Sequence, residues 1–370
     1  MRLRLVALLG LAISLGSPMP AAARSSMDSR LSRLVEQFMR DQHVPGATVA
    51  ISVGGKTVWA KGFGFADLED KAPATINSAY RTASMGKSMT ATLAFILARE
   101  GKLDLAAPVQ RYCPRYPQKN WPVVVRDLIS HTSGIREPND TDELYNTRHY
   151  DNPSDAVDLF AKDPLRFRPG TDFAYTTWGY VLLGCVLEGA SGQDLRNLFQ
   201  QRIFAPARMV HTRDDDPRAI IPGRARGYIL EGGTLKITPW TDMSHKLAAG
   251  GWITTAGDML RFMNAWMDGV YVSAEDRALM LKPYTLRDGS TADNYGMGWF
   301  INDHAGRQFA MHGGGTPGVS AIDYMVPTTH VAVIAFFNLE NIKAQPRIDL
   351  ATNLAEAVGA FPLIRTGKRN

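Results

Sequence analysis

Strand signals lie near both ends of this chain, and helical patterns fill its middle. Residues 47–53 and 56–64 are rich in Val, Ile, Thr and Trp and flank a Gly54-Gly55 turn, which is typical of a β-hairpin. Four further short runs of aromatic and β-branched residues follow near the other end, at 295–301, 308–312, 320–326 and 330–337. Because strands must pair, we expect one antiparallel sheet built from both ends of the chain.

Helical periodicity marks the segments that should cover this sheet. Apolar residues recur at helical spacing over 31–39 and 84–99, Gly101 ends the second pattern, and 348–358 predicts a closing helix. The apolar stretch 178–190 predicts a buried helix, and residues 257–267 predict another. The predicted fold class is therefore α/β of the α+β type. Its sheet is flanked by terminal helices, with an inserted, mostly helical lobe. We expect one domain over 24–370, with a sheet lobe at about 27–83 and 290–365 and a helical lobe at about 84–289.

The first 23 residues have the layout of a secretory signal peptide. Arg2 and Arg4 precede an apolar run over residues 5–15, and Ala21-Ala22-Ala23 offers small residues for cleavage. The run is shorter than a bilayer span, so we expect a periplasmic or secreted protein with no stable membrane span.

Charge and composition exclude several classes of function. The net charge is +5, but the 41 basic residues are scattered, with no run of four or more Lys/Arg, so we expect no nucleic-acid partner. No zinc, calcium or Walker A signature is present: Arg81 stands where the first glycine of a phosphate loop would precede Gly86-Lys87-Ser88. We therefore expect no cofactor and no metal. The partner should be a small-molecule or peptide substrate, and the oligomeric state is left open.

The two cysteines, Cys113 and Cys185, stand far apart in the chain. Cys185 lies within an apolar stretch, where a buried free thiol is the ordinary explanation, although an oxidising compartment permits a bond. We expect two free thiols.

Ser84 and Lys87 form the first arrangement that can do chemistry. Residues three apart share a helix face, so the Lys87 amine would lie near the Ser84 hydroxyl at a helix N-terminus. A hydroxyl needs a neighbouring base to become a nucleophile, and a desolvated lysine can serve. The alternative is a serine that only caps the helix.

Two more arrangements follow along the chain. Tyr175-Thr176-Thr177 precedes the buried helix, where a phenol held near an ammonium can have its pKa lowered and act as acid or base, or can simply pack. The run His312-Gly313-Gly314-Gly315 ends one strand and leads to the next. Its bare backbone could receive a ligand, or could be a flexible connection.

In this order, the three arrangements resemble the motif set of the penicillin-recognising serine hydrolases: class C β-lactamases, D-alanyl-D-alanine carboxypeptidases and related esterases. The similarity extends over about residues 30–360. Four further stretches carry it: 44–47 (VPGA), 128–134 (LISHTSG), 250–255 (GGWITT) and 295–299 (YGMGW). The resemblance implies a serine β-lactamase-like fold and an acyl-transfer reaction.

By position, the resemblance implies that Ser84 is the acylated nucleophile. Lys87 would be the base, alone or paired with Tyr175, and Tyr175 would carry the proton to the leaving group. His312, Gly314, Gly315 and Thr177 would bind substrate. The oxyanion hole would use the backbone N–H groups of Ser84 and Gly315. His131 should support the fold, and the loops around 136–152 and 240–245 should shape a partly polar pocket.

One residue departs from the family pattern. The usual second motif is Tyr-x-Asn, but position 177 is Thr, which cannot replace both functions of an Asn amide. His312 stands where relatives carry Lys or His, and His in place of Lys weakens a fixed positive charge, since a histidine is largely neutral near pH 7. We therefore expect an esterase or D-amino-acid peptidase with weak or no β-lactamase activity. The alternative is a catalytically weak binding or self-assembling module of the cell envelope.

Overall fold

A computed structural model describes residues 21–139 and 143–361 of the chain. The predicted signal peptide lies outside the described residues except for positions 21–23, which begin the first helix. The nine α-helices of the described residues are α1 (Ala21–Asp41), α2 (Gly86–Arg99), α3 (Val125–Ile129), α4 (Thr177–Ser191), α5 (Leu195–Phe199), α6 (Leu247–Gly250), α7 (Ala256–Met267), α8 (Ala274–Met280) and α9 (Ala344–Ala357).

Twelve strands occur in the same part of the chain. They are β1 (Gly46–Val53), β2 (Lys56–Asp67), β3 (Ala72–Pro73), β4 (Ala79–Arg81), β5 (Arg213–Asp214), β6 (Tyr228–Glu231), β7 (Thr234–Ile237), β8 (Trp252–Thr255), β9 (Phe300–His304), β10 (Arg307–Thr316), β11 (Val319–Val326) and β12 (Val331–Phe337).

The main sheet joins the two ends of the chain, as the sequence predicted. Its seven antiparallel strands have the order β3-β2-β1-β12-β11-β10-β9, so β1 pairs with β12 near the centre. Ala47 lies opposite Phe337 and Val53 opposite Val331 in that pairing. The predicted fold class is confirmed.

Both faces of the central strands are buried, which explains their nearly continuous apolar sequences. Alternate residues of β12 belong to different cores. Val333 and Phe337 pack with α1 and α9, whereas Ile334 and Phe336 pack with α2 and the helical lobe. The Phe38 ring of α1 lies 4.6 Å from that of Phe337, centroid to centroid. The terminal helices thus cover one face of the sheet, and the helices next to the site cover the other.

Two strand predictions near the end of the chain are wrong in their bounds. The segment 295–301 was expected to be extended, but β9 begins only at Phe300, because Gly298 has φ +92° and bends the chain before it. The glycines after His312 are not a connection: they lie inside β10, and the turn follows at Pro317-Gly318.

The expectation of two free thiols is also wrong. Cys113 and Cys185 form a disulfide, with their Cα atoms 5.6 Å apart. Gly189 on α4 explains the approach, since a Cβ there would lie 1.8 Å from the carbonyl oxygen of Tyr112. The bare backbone at Gly189 lets the segment before Cys113 lie against α4, one turn from Cys185.

No helix in the described ranges, 21–139 and 143–361, is long and apolar enough to cross a membrane.

Candidate active site

Ser84 lies in a tight turn at the start of α2. The turn is a short 3₁₀ helix over Ala83–Met85, and Ala83 has φ +47°, a left-handed conformation that costs energy for a residue with a Cβ. Gly250 packs directly behind it, where a Cβ would lie 1.8 Å from the Ala83 carbonyl oxygen. Tight packing therefore holds the strained turn, and Ser84 lines two cavities.

Lys87 lies one helical turn after Ser84 and is fully buried. Its Nζ lies 2.9 Å from Ser84 Oγ and donates a second hydrogen bond, of 3.2 Å, to the Ala249 carbonyl oxygen. The ring of Tyr175 lies 4.9 Å from the same nitrogen. Burial lowers the pKa of Lys87 to about 8, although the carboxylate of Glu137 opposes the shift. At neutral pH a minor fraction of Lys87 is therefore unprotonated, and this neutral amine can accept a proton.

Tyr175 is carried by the loop that leads into α4. Thr176 caps that helix by accepting a hydrogen bond from the Gly179 N–H, and its hydroxyl donates to the Arg136 carbonyl oxygen at 2.7 Å. Burial raises the pKa of Tyr175 well above its usual value, and hydrogen bonding with Ser84 offsets only part of this effect. Of the alternatives that the sequence left open, a lowered Tyr175 pKa is not the one found: the pKa is raised, and the phenol keeps its proton at neutral pH.

His312 lies on β10 beside Tyr175 and is buried. Its Nε2 lies 3.2 Å from the Tyr295 hydroxyl and its Nδ1 lies 2.9 Å from the Gly313 carbonyl oxygen. Burial lowers the pKa of His312 to about 3, and the charge of Lys87 contributes in the same direction. The ring is neutral and supplies no fixed positive charge, in line with the expectation from the sequence.

Gly314 and Gly315 differ in what surrounds them. A Cβ on Gly314 would lie 2.9 Å from the Thr82 carbonyl oxygen and 3.1 Å from the Ala83 Cβ. Gly314 therefore lets β10 lie against the turn that carries Ser84. Gly315 is exposed, and a Cβ there would meet nothing within 4 Å. A ligand can reach the backbone of Gly315.

Thr177 is bound to a carboxylate that the sequence analysis did not single out. Both its backbone N–H and its hydroxyl donate to Glu137, the hydroxyl at 2.8 Å. Although Glu137 keeps solvent access, desolvation by the surrounding protein raises its pKa, while Lys87 lowers it. The Thr177 hydroxyl is thus occupied by Glu137. Glu137 falls within the loop that the sequence predicted to shape the pocket, but nothing in its local pattern marks it.

Lys246 is a second buried lysine in the site that the sequence analysis missed. It follows the predicted 240–245 loop, and its Nζ lies 3.4 Å from the Leu144 carbonyl oxygen. Burial lowers the pKa of Lys246 to about 7, and repulsion from Arg81 and Lys87 adds to the shift.

Two cavities meet at Ser84. The smaller, of about 170 Å³, is lined by polar and charged groups that include Lys87, Glu137, Thr177 and Lys246. The larger, of about 530 Å³, extends along β10 past His312. Its walls are mainly apolar, with Phe300, Met311, Ile322 and Ile348 among them. Ser84, Tyr175 and Gly315 line both cavities, so the structure brings the predicted site residues together around one hydroxyl.

Comparison with known proteins agrees with this arrangement. The family model described as Beta-lactamase matches residues 31–357. The chain belongs to this family. It is 30% identical to the mitochondrial serine beta-lactamase-like protein LACTB of Mus musculus, an alignment that covers 85% of this chain and 76% of that protein. It is 28% identical to penicillin-binding protein 4* of Bacillus subtilis, over 77% of this chain and 66% of that one.

Solved structures share the fold of this family member. The octameric penicillin-binding protein homologue from Pyrococcus abyssi superimposes with a TM-score of 0.76 at 26% identity, covering 90% of this chain and 78% of the other. The D-amino acid amidase from Ochrobactrum anthropi SV3 has a TM-score of 0.77 at 23% identity, covering 90% and 98%. The chain is therefore a β-lactamase-fold member of the penicillin-recognising serine hydrolases, as its motifs suggested.

Proposed function

We propose that this chain is an exported serine hydrolase that cleaves an ester or a peptide amide through an acyl-enzyme on Ser84. The observation that carries the proposal is the 2.9 Å contact between Lys87 Nζ and Ser84 Oγ, made by a lysine that is fully buried and whose pKa is lowered. Desolvating a lysine next to a hydroxyl is the usual way to turn the amine into a base and the hydroxyl into a nucleophile.

The first half of the reaction forms the acyl-enzyme. Neutral Lys87 accepts the Ser84 proton as Ser84 Oγ bonds to the carbonyl carbon of the substrate. The backbone N–H groups of Ser84 and Gly315 then receive the oxyanion, which is negative only in the tetrahedral intermediate. Tyr175, protonated at neutral pH, donates its proton to the departing oxygen or nitrogen and recovers one from Lys87.

In the second half, water attacks the acyl carbon and gives a proton to Lys87 and Tyr175. These two residues return a proton to Ser84 Oγ as the acyl bond breaks. The acid is released, and the enzyme regains its starting protonation. No metal or cofactor takes part in this scheme.

The two cavities indicate which substrates fit. Beyond the reacting carbonyl, the walls of Phe300, Met311 and Ile348 suit an apolar group, and the polar cavity suits a hydrogen-bonding one. The Thr177 hydroxyl is bound to Glu137 and the His312 ring is neutral, so neither supplies the amide or the charge expected of an efficient β-lactamase. We therefore propose an esterase or D-amino-acid peptidase with weak or no β-lactamase activity.

Export rests on the first 23 residues and on the disulfide. The segment has the layout of a cleaved signal peptide, and a Cys113–Cys185 bond persists in an oxidising compartment. We propose a periplasmic or secreted location, which an N-terminal mass determination on protein purified from its native host would check.

A three-substrate screen tests the proposed activity. Wild type should hydrolyse short-chain p-nitrophenyl esters or D-Ala-D-Ala peptides faster than nitrocefin, and Ser84→Ala should abolish the activity. Ser290→Ala provides a matched control, because Ser290 is exposed and outside both cavities. Activity that survives Ser84→Ala would refute the proposal. Silence on all three substrates, together with multimers in light scattering, would favour the binding-module alternative.

A further inference from the structure

His131 occupies an unusual position directly behind Tyr175. It is fully buried, and its backbone has φ +59°, a left-handed conformation that a histidine adopts at an energetic cost. It follows α3, and neither of the two cavities at Ser84 includes it among the residues of its wall. The burial and the strained backbone of His131 are therefore not explained by contact with a substrate in these cavities.

His131 makes three contacts with Tyr175 and the residues on either side of it. Its backbone carbonyl oxygen accepts a 2.9 Å hydrogen bond from the Ala174 N–H, on one side of the tyrosine. Its Nδ1 accepts a 3.0 Å hydrogen bond from the Thr176 N–H, on the other side. Its ring packs against the Tyr175 ring, with centroids 4.2 Å apart. One residue therefore holds the backbone before and after Tyr175 and also contacts its side chain.

These hydrogen bonds require one protonation state of the His131 ring. Because Nδ1 accepts a hydrogen bond, the proton of a neutral His131 lies on Nε2, which has no hydrogen-bond partner among the described residues. Burial lowers the pKa of His131 well below its usual value, and the positive charge of protonated Lys87 opposes protonation of the ring further. The other titratable groups that face the ring are Tyr175, Tyr180 and Tyr295, which are neutral phenols. His131 thus remains a neutral acceptor through the working pH range.

We propose that His131 is a positioning residue that aligns the Tyr175 hydroxyl with Ser84 and Lys87. The inference rests on the proton-transfer role of Tyr175 in the proposed function. It makes His131 act through Tyr175 and not through the substrate, so the loss of His131 should lower kcat for a substrate while leaving KM nearly unchanged. A displacement of about 1 Å at a reacting group can cost about 100-fold in rate.

Two amide substitutions separate the contributions of the ring atoms. In His131→Asn the side-chain Oδ1 stands near the position of Nδ1 and can still accept from the Thr176 N–H, and Asn tolerates a left-handed backbone. In His131→Gln the amide extends toward the position of Nε2 and leaves that N–H without its acceptor. With an alkyl ester, whose alkoxide leaving group must be protonated as it departs, we expect His131→Gln to lower kcat about 100-fold and His131→Asn to lower it by no more than about tenfold. Equal losses in the two variants would overturn the role of Nδ1.

A double-mutant cycle with Tyr175→Phe distinguishes positioning from a general structural role. If His131 acts through Tyr175, His131→Gln should reduce kcat by less than about twofold in the Tyr175→Phe background, because the group it positions is already absent. The same fold-loss in both backgrounds would overturn the proposal. Should His131→Gln fail to fold, as judged by thermal unfolding, the same cycle with His131→Gly, which removes the ring and adopts the left-handed backbone freely, gives the decision by the same criterion.

The cycle also separates the two proposals from each other. Tyr175→Phe with wild-type kcat would refute the role of Tyr175 in the proposed function, and the positioning role would fall with it. If Tyr175→Phe lowers kcat, but His131→Gln causes the same further fold-loss of kcat with and without Tyr175→Phe, the proposed function stays intact and only the positioning role is refuted.

Discussion

The titration of Lys87 should set the acid limb of the pH–rate profile. The proposed mechanism requires the neutral amine, and burial lowers the pKa of Lys87 from 10.5 to about 8. From that value, the neutral fraction of Lys87 is about 1% at pH 6, about 9% at pH 7 and about 90% at pH 9. We therefore expect kcat/KM to rise about tenfold between pH 6 and pH 7, to reach half its maximum near pH 8 and to level off above pH 9.

The assay is the initial rate of p-nitrophenyl acetate hydrolysis, measured below KM and corrected for spontaneous hydrolysis at each pH. Glu137→Gln provides the perturbation, because the Glu137 carboxylate is the charge that raises the pKa of Lys87. Its removal should move the midpoint to lower pH. Lys246→Met provides the control, since the pKa of Lys246 is lowered to about 7 in the same cavity. A limb near pH 8 should persist in that variant.

Three results would refute this reasoning. A midpoint near the ordinary lysine value of 10.5 would mean that burial does not activate Lys87. A midpoint that does not move in Glu137→Gln would mean that the two groups do not interact. Loss of the acid limb of the pH–rate profile in Lys246→Met would mean that Lys246, and not Lys87, is the group that titrates.

Three further predictions concern stability. Lys87→Met should raise the unfolding free energy at pH 7 by about 1–3 kcal/mol, because a cation whose folded pKa is lowered destabilises the fold below that pKa. In denaturant titrations this advantage should shrink as pH rises from 8 toward 10.5, and a constant difference would contradict the pKa shift. Gly314→Ala should cost about 1–3 kcal/mol through its clash with the Ser84 turn, whereas Gly315→Ala should stay within about 0.5 kcal/mol; equal effects would contradict the packing difference. Replacing Cys113 and Cys185 by Ala should cost about 4 kcal/mol, from the loop of 72 residues that the bond closes, and an unchanged midpoint in urea would show that the bond does not stabilise the fold.

The main elements of the fold could be predicted from the sequence because each has a local signal. The hairpin of β1 and β2 has its Gly54-Gly55 turn, and α4 has a long apolar run that ends at Gly192 in a left-handed conformation. The strand bounds near Gly298 could not be predicted, since the composition of residues 295–301 is that of a strand and only the backbone bend shows otherwise. The disulfide could not be predicted because it depends on the approach of two segments at Gly189.

The candidate site divides in the same way. Helical spacing placed Lys87 near Ser84 and local pattern marked Tyr175 and His312, but each had a purely structural alternative, and only the resemblance to a known motif set gave them catalytic or binding roles. Glu137 and Lys246 were missed, because a lone Glu in a loop and a lone Lys before a short helix carry no pattern. Both residues matter because their charges interact with that of Lys87, and they come near Lys87 only when the loops that carry them fold around the cavity. The direction of the Tyr175 pKa shift also depends on burial, which the sequence does not show.

A crystal structure of the protein after reaction with a fluorophosphonate would show which atom is the nucleophile. The proposed mechanism predicts one covalent bond, to Ser84 Oγ, with the phosphoryl oxygen within hydrogen-bond distance of the backbone N–H groups of Ser84 and Gly315. Phosphorus bonded to any other side chain would refute Ser84 as the nucleophile. A phosphoryl oxygen that points away from Gly315 toward the apolar wall of the larger cavity would contradict the proposed oxyanion hole.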